Sequence, residues 1–342
     1  MDDALAFLGG RWARGVLDIT SDISALDSSG RWAVVLPYDG STTCVRFDNW
    51  STRRPAAAKV GRWVGPQSAD WASSIDEAAY EDAVRLTRQR IAEGDVYQAN
   101  ICRIMSAPLP DVGATDVSGL YSLLRNGNPA PHGGFIRVPS LGIALASASP
   151  ELFLERSGDD LKSGPIKGTG KTPGDLLAKD EAENIMIVDL MRNDFSRICR
   201  TGSVAVPSLL RVEHHPGLVH LVSDVTGELS PDVGWKGIYD ATFPPGSVTG
   251  APKSSALRLI DALESTPRGP YCGAFGWVDA DARTASLGVT IRTFWTEGDI
   301  LKFGTGAGIT WGSDPAAEWR ETQLKAERLI SLASGVWQGD AS

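Results

Sequence analysis

Residues 271–309 constrain the fold more than any other part of the chain, because they read as strand, turn, strand, turn, strand, with turn residues at 279–282 and 296–299. That pattern predicts an antiparallel meander. In its middle strand the period of two places Thr290 and Arg292 on one face, opposite Val289 and Ile291. Helix signals surround it. Ser74 and Glu77 make a capping box for a helix over 75–93 that Gly94 stops, and strand follows over 96–105. Pro173-Gly174 and Gly202 bracket a helix over 175–198, a third runs over 254–264, and Ser313-Asp314-Pro315 starts a last one that reaches 333. Residues 1–74 mix short apolar runs with turn residues and read mainly as strand. Antiparallel strands with helices between them imply an α+β architecture rather than a doubly wound one.

With 42% hydrophobic and 22% charged residues, 342 residues suffice for a substantial core. No apolar run approaches the roughly 18 residues of a membrane span, and Met1-Asp2-Asp3 lacks a basic leader region, so a soluble cytoplasmic protein is expected, with no membrane partner. The net charge of -9 argues against nucleic acid as a partner. Any anionic ligand must therefore meet local basic groups. Cys44, Cys102, Cys199 and Cys272 have no CxxC spacing and read as reduced thiols.

Four acidic residues on two helices form the first chemical constellation. Glu318, Glu321 and Lys325 share a face of the last helix at i, i+3 and i+7, and Asp180 and Glu183 repeat the spacing on the second. These carboxylates suit a hard divalent cation such as Mg²⁺, and they equally suit solvated helix faces. Gly304-Thr305-Gly306-Ala307-Gly308 closes the last strand, where backbone free of side chains can approach an anion or simply leave the sheet.

Pro165-Ile166-Lys167-Gly168-Thr169-Gly170-Lys171-Thr172 imitates a phosphate-binding P-loop, with Pro165 in place of the first glycine. Proline cannot copy that backbone geometry, so the more interesting lysine is Lys167 rather than Lys171. Sixteen residues earlier stands Glu151. A lysine and a carboxyl group converging in one cleft could share nucleophilic and proton-transfer work. The four histidines show no metal-ligand spacing.

Together these segments resemble the chorismate-utilising enzymes: the synthase components of anthranilate and aminodeoxychorismate synthases, the isochorismate synthases and the salicylate synthases. The resemblance covers roughly residues 75–335. Its carriers are Asp189-Leu190-Met191-Arg192-Asn193-Asp194, Phe243-Pro244-Pro245-Gly246-Ser247-Val248-Thr249-Gly250-Ala251-Pro252-Lys253, Tyr271-Cys272-Gly273-Ala274, Ile291-Arg292-Thr293 and Gly306-Ala307-Gly308-Ile309. It implies a two-lobed sandwich of antiparallel sheets with helices packed outside, as in anthranilate synthase component I. One chorismate-binding domain then fills 1–342, with 1–74 a shortened N-terminal part of the sheet structure and 75–335 the core.

The resemblance further implies that Glu183 and Glu321 bind Mg²⁺ with Asp180 and Glu318 in support. Tyr271, Arg292, Gly306, Ala307, Gly308 and Lys325 would surround the two carboxylates of chorismate, with Thr169, Thr249 and His220 near the ring. Gln98 stands where isochorismate and salicylate synthases carry a general-base lysine, which disfavours water as nucleophile. Lys167 stands where anthranilate synthases carry alanine, which marks the aminodeoxychorismate branch. The implied chemistry is amination at C4 through a covalent Lys167 intermediate, with Glu151 as proton donor. Ammonia would come from a separate glutaminase subunit, and pyruvate would stay on the product. The short N-terminal part shows no match to the tryptophan pocket of relatives, and Pro245 replaces a usual glycine.

Overall fold

The computed structural model describes residues 3–56, 58, 60–113, 115–170, 172–176, 178–215 and 218–335. Lys171, the P-loop-like lysine, lies outside them, and so does the side chain of Thr169. The first quarter supplies β1 (Leu5–Leu8), β2 (Arg11–Thr20), β3 (Arg31–Leu36), β4 (Thr43–Ser51) and a two-residue β5 (Ala72–Ser73). Helix α1 (Glu77–Ala92) leads into β6 (Gln98–Pro108), and α2 (Val117–Gly127) into the hairpin β7 (Gly134–Val138) and β8 (Ile143–Ser147). Then come β9 (Leu152–Ser157), β10 (Asp160–Gly164), β11 (Ile166–Gly170), α3 (Ala178–Ser196), β12 (Ala205–His215) and β13 (Leu218–Glu228). The last third holds α4 (Trp235–Thr242), β14 (Gly250–Ala251), α5 (Lys253–Leu263), β15 (Ala274–Asp279), β16 (Thr284–Val289), β17 (Thr293–Glu297), β18 (Ile300–Ile309) and α6 (Pro315–Ala333).

Every pairing between these strands is antiparallel, and the pairings join into one open sheet. Its path runs β12, β13, β10, β9, β16, β15, β3, β4, β2, β1, β7, β8, β17, β18, β6, with β11 on β13 and the short β5 and β14 on β6. The sheet folds over two principal cores. One gathers Trp32, Val45, Phe153, Phe275 and Leu287 with Ile187 and Phe195 of α3, and the other gathers Phe135, Phe294 and Phe303 with Leu120 of α2 and Leu329 of α6. Burial of these apolar side chains is the main force closing each lobe.

The expected meander is two hairpins instead. β15 pairs with β16 and β17 with β18, but β16 turns away to β9 and β17 to β8. The break falls at Thr290, Ile291 and Arg292, where Arg292 takes a left-handed φ of 53° and the predicted strand alternation ends. The Ser74 cap is also corrected. Asp76 caps α1 by accepting from the N–H of Ala79, while Ser74 Oγ accepts from the N–H of Ile104 and ties the segment to β6. The capping box loses because Ile104 of β6 engages Ser74 twice, its N–H donating to the hydroxyl and its carbonyl accepting the Ser74 N–H. Asp314 caps α6 as its start signal predicts, accepting from Ala317 N–H.

Helix α2 has no counterpart in the sequence reading, since Gly119 and Gly127 interrupt it. Gly119 is held by contact rather than by turn geometry: a Cβ there would lie 2.5 Å from the carbonyl oxygen of Gly61. Two of the sequence blocks hold each other. Lys253 Nζ at the start of α5 meets Asp194 of α3 at 2.6 Å and donates to Thr242 O at 3.0 Å, a pair whose partners are both largely buried. All four cysteines are buried and free, and Cys102 Sγ lies 4.0 Å from Cys272 Sγ.

Candidate active site

Two passages of the chain between the lobes, from β8 to β9 through 148–151 and from β16 to β17 through 290–292, are bonded to one another. Ala148 N–H donates to Arg292 O (3.0 Å), Val289 N–H to Glu151 O (3.0 Å) and Ser149 Oγ to Val289 O (2.5 Å). Glu151 and Arg292, far apart in sequence, thereby reach one cavity of about 630 Å³. The splitting of the sheet, rather than any strand alternation, brings them there.

Lys167 enters the same cavity from β11. The register of β11 against β13 shifts between Lys167 and Thr169, and Gly168 between them has φ 75°. A bulge of this kind re-aims the flanking side chain. Glycine is required twice over, because a Cβ at Gly168 would also stand 2.9 Å from the Cβ of Asp180 on α3. The Lys167 ammonium donates to Ser247 O (3.3 Å) and lies 3.9 Å from Glu183 Oε2.

Glu151 is 4% exposed, and its Oε1 has no hydrogen-bond partner among the described residues. Burial raises its carboxyl group above the ordinary range, while nearby Ser247, the charge of Lys167, the Ile166 backbone and Arg292 oppose the rise. Ser247 Oγ is itself buried without a partner of good geometry, close enough to the carboxyl to act on it. Burial lowers the Arg292 guanidinium, and Glu151 opposes that shift.

Across the cavity α3 contributes Asp180 and Glu183, and α6 contributes Glu318, Glu321 and Lys325. Burial raises the Glu183 carboxyl, Lys167 and Lys179 oppose it, and the charges of Asp180 and Glu321 add to it. Burial likewise raises Glu318 against a hydrogen bond from Ser313, with Glu321 adding to the rise. For Glu321 burial is outweighed by Lys325, Lys179 and Lys167, and its carboxyl lies below the usual range. Lys325 meets Glu321 at 2.7 Å and donates to Gly306 O at 3.1 Å. Among the described residues no three His, Cys, Asp or Glu side chains converge as a ready metal cage.

His220 on β13, Tyr271, Gly306 and Gly308 also line the cavity. Gly304 of β18 underlies the ring of Tyr271, and Gly308 borders both Gln98 and Lys167, so the glycine run lies within β18 as a floor rather than a turn. Three sequence candidates lie otherwise. Gln98 is buried behind Gly308 with Oε1 unpartnered, Thr249 turns its hydroxyl to Pro245 O (3.0 Å), and Ala307 faces the core beneath α1 and α5. For Thr169 the backbone stands beside His220.

The cavity also holds residues that sequence reasoning passed over: Asn100, Lys179, Ser247 and Arg328. Arg328 continues the α6 face three residues beyond Lys325, a periodicity that could have exposed it. Ser247 lay inside a recognised block without a role. Taken together, the site offers a lysine beside a protonatable carboxyl group, an array of carboxylates, and several cations to receive an anion.

Known proteins of this architecture share more than the fold. Residues 50–331 match the family described as chorismate binding enzyme. Anthranilate synthase component 1 3 of Haloarcula marismortui is 39% identical over 275 residues, 77% of this chain and 53% of that protein. Aminodeoxychorismate synthase component 1 of Bacillus subtilis is 35% identical over 83% of this chain and 62% of its own, and that of Escherichia coli 33% over 87% and 68%. This chain thus spans about half to two thirds of the length of these curated relatives. Among solved structures, anthranilate synthase component I of Streptococcus pneumoniae superposes with a TM-score of 0.76 at 23% identity, over 96% of this chain and 89% of that one. The menaquinone-specific isochorismate synthase of Escherichia coli gives 0.78 at 18% identity, over 97% and 89%. At such identities the structural likeness establishes the fold, that of anthranilate synthase component I.

Proposed function

The chain belongs to the chorismate-binding enzymes, and we propose that within this family it replaces the C4 hydroxyl of chorismate by an amino group, giving 4-amino-4-deoxychorismate. The observation that carries the reading is the approach of Lys167 and Glu151 in one cavity, the lysine beside Ser247 O and the buried carboxyl group raised toward its acid form. Relatives named for this activity support it.

Neutral Lys167 adds through Nζ to C2 as the ring double bonds shift and the C4–O bond breaks. Glu151 gives its proton to the departing hydroxyl, which leaves as water. Ammonia then bonds to C4, the double bonds return, and the C2–Nζ bond breaks with its electron pair on Lys167. The Glu151 carboxylate takes the surplus proton from the new ammonium group. Arg292 and Tyr271 would hold one substrate carboxylate, with Lys325 and the Gly306 floor at the other.

Mg²⁺ belongs to the same proposal. Magnesium commonly takes one or two carboxylates and completes its shell with water and ligand oxygens, so the acidic residues fit it without a three-residue cage. Glu183 and Glu321 would hold the ion, with Asp180 and Glu318 beside them. When bound it supplies fixed positive charge for the ring carboxylate. The ammonia source would be a glutaminase subunit, in keeping with the component 1 naming of relatives.

The second reading is anthranilate synthesis, favoured by the names of relatives at 39% and 36% identity. One assay separates the two: chorismate, Mg²⁺ and ammonium salt, with the product mass read directly. Aminodeoxychorismate is expected, with a Lys167 adduct trapped when ammonia is withheld and no adduct in Lys167→Ala. Anthranilate with release of pyruvate would overturn the reading.

A further inference from the structure

Arg268 is among the largest fully buried side chains, 1% exposed, and the chemistry above leaves it without a task. A guanidinium buried to this degree is costly unless its charge is paired and its N–H groups are satisfied. Glu264 pairs the charge. Nε and Nη2 of Arg268 donate to its Oε2 and Oε1, each at 2.7 Å, and the Tyr38 ring lies 4.5 Å from the guanidinium carbon.

The other donors go to backbone. Nη1 donates to Val248 O (3.0 Å) and Nη2 to Asn100 O (2.7 Å), and both acceptors belong to residues that line the cavity. One stands on β6 and the other on the single helical turn Gly246–Val248. These two segments also meet directly, Asn100 N–H donating to Thr249 O at 2.7 Å, and Glu264 Oε1 accepts Cys102 N–H at 2.8 Å. Immediately before Val248 comes Ser247, whose carbonyl receives Lys167 and whose hydroxyl adjoins Glu151.

We infer that Arg268 is a positioning residue: by gripping the Val248 and Asn100 carbonyls from beneath, it fixes Ser247 against Lys167 and Glu151 and so governs the chemical step rather than substrate affinity. The identity of that step rests on the proposed amination. Of the groups assigned to the substrate carboxylates, Arg292 and Lys325 stand on other elements, the 290–292 passage and α6, and Tyr271 is tied to the backbone carbonyl of Arg268 (3.1 Å), a bond that replacing the side chain leaves in place. Loss of the grip therefore acts on kcat and spares KM.

The test uses the 342-residue chain carrying Arg268→Gln, Arg268→Lys or Glu264→Gln, assayed with chorismate, Mg²⁺ and ammonium. Amide hydrogen exchange of peptides covering 97–102 and 243–250 is measured in parallel. A displacement of the order of 1 Å at reacting groups costs about 100-fold. Arg268→Gln is thus expected to lower kcat by about 100-fold, with KM within about threefold of wild type. Exchange should quicken in both peptides and not in α1. Arg268→Lys keeps the charge without the planar fork and should fall between. Glu264→Gln leaves the arginine in place and gives the same pattern more weakly, which decides the matter should Arg268→Gln not fold. A wild-type kcat in Arg268→Gln, a change confined to KM, or exchange raised evenly along the chain would overturn the inference. The wild-type product mass judges the amination separately. A different product removes that reading while the kcat ratios still judge Arg268, and the exchange pattern judges it without turnover.

Discussion

Substituting Gly304 by alanine isolates one physical effect, because the backbone there is ordinary strand and only the space is special. Gly304 pairs with Ile104 across β18 and β6. In a strand interior, exchanging glycine for alanine normally stabilises by about 0.5–1 kcal/mol through reduced chain entropy. Here the sign reverses. A Cβ on Gly304 would stand 2.5 Å from Tyr271 Cδ2, with Cγ and Cδ1 nearer still. Carbon atoms pack at about 3.5–4.0 Å, so the ring must withdraw by about 1 Å or more. The ring is 5% exposed, and overpacking of this kind costs about 1–3 kcal/mol. Thermal unfolding should fall by no more than about 2–4 °C per kcal/mol. On the proposed reading, in which Tyr271 meets a substrate carboxylate, its withdrawal should raise KM for chorismate about tenfold, the loss of a single hydrogen bond to a charged group. Calorimetry and steady-state kinetics on Gly304→Ala check both. A variant more stable than wild type with unchanged KM would refute the contact between β18 and Tyr271.

The remaining expectations are briefer. Ser247→Ala removes the hydroxyl beside Glu151 while keeping the carbonyl that receives Lys167, and kcat should fall about 3- to 10-fold, as for a hydrogen bond between neutral groups. Burial raises the Glu151 carboxyl, so its acid form persists above the ordinary carboxylate range. Activity that needs this proton should decline as pH rises through the raised value. The folded state binds the proton more tightly than the unfolded chain, so the stabilisation is full below the unfolded value and lost as pH rises through the folded one. Urea midpoints of Glu151→Gln against pH should therefore lack that decline. Lys253→Met strands Asp194, and a broken buried pair costs about 3–5 kcal/mol, read as a lower urea midpoint with unchanged slope.

How much of this was legible follows the range over which each interaction acts. Asp314 caps α6 and the face of Glu318, Glu321 and Lys325 emerges as written, because caps and helical spacing are local. Ser74 was misread because a residue 30 positions away in β6 takes its hydroxyl. The meander was misread for a related reason. Turns at 279–282 and 296–299 form hairpins, but whether β16 pairs with β17 depends on β8 and β9, which no local pattern reports. Arg292 consequently reached the cavity by a left-handed residue rather than by strand alternation. Lys179 and Arg268 escaped notice because nothing in their own neighbourhood marks them, and Ser247, though inside a recognised block, shows no role in its own neighbourhood. Their partners come from other elements.

Charge explains why an acidic protein can present such a site. Among the described residues the cavity is lined by six carboxyl groups, Glu151, Asp175, Asp180, Glu183, Glu318 and Glu321, and by five cationic side chains, Lys167, Lys179, Arg292, Lys325 and Arg328. Burial favours the neutral acid at Glu151, and with that proton in place, before Lys167 gives up its own for the addition step, five carboxyl groups face five cations. On the proposed reading a divalent ion then leaves two positive charges, which a substrate with two carboxylates neutralises. Nearly all of the formal net charge of -9 therefore resides elsewhere on the molecule and does not oppose binding at close range, where fixed local charges dominate over a screened surface.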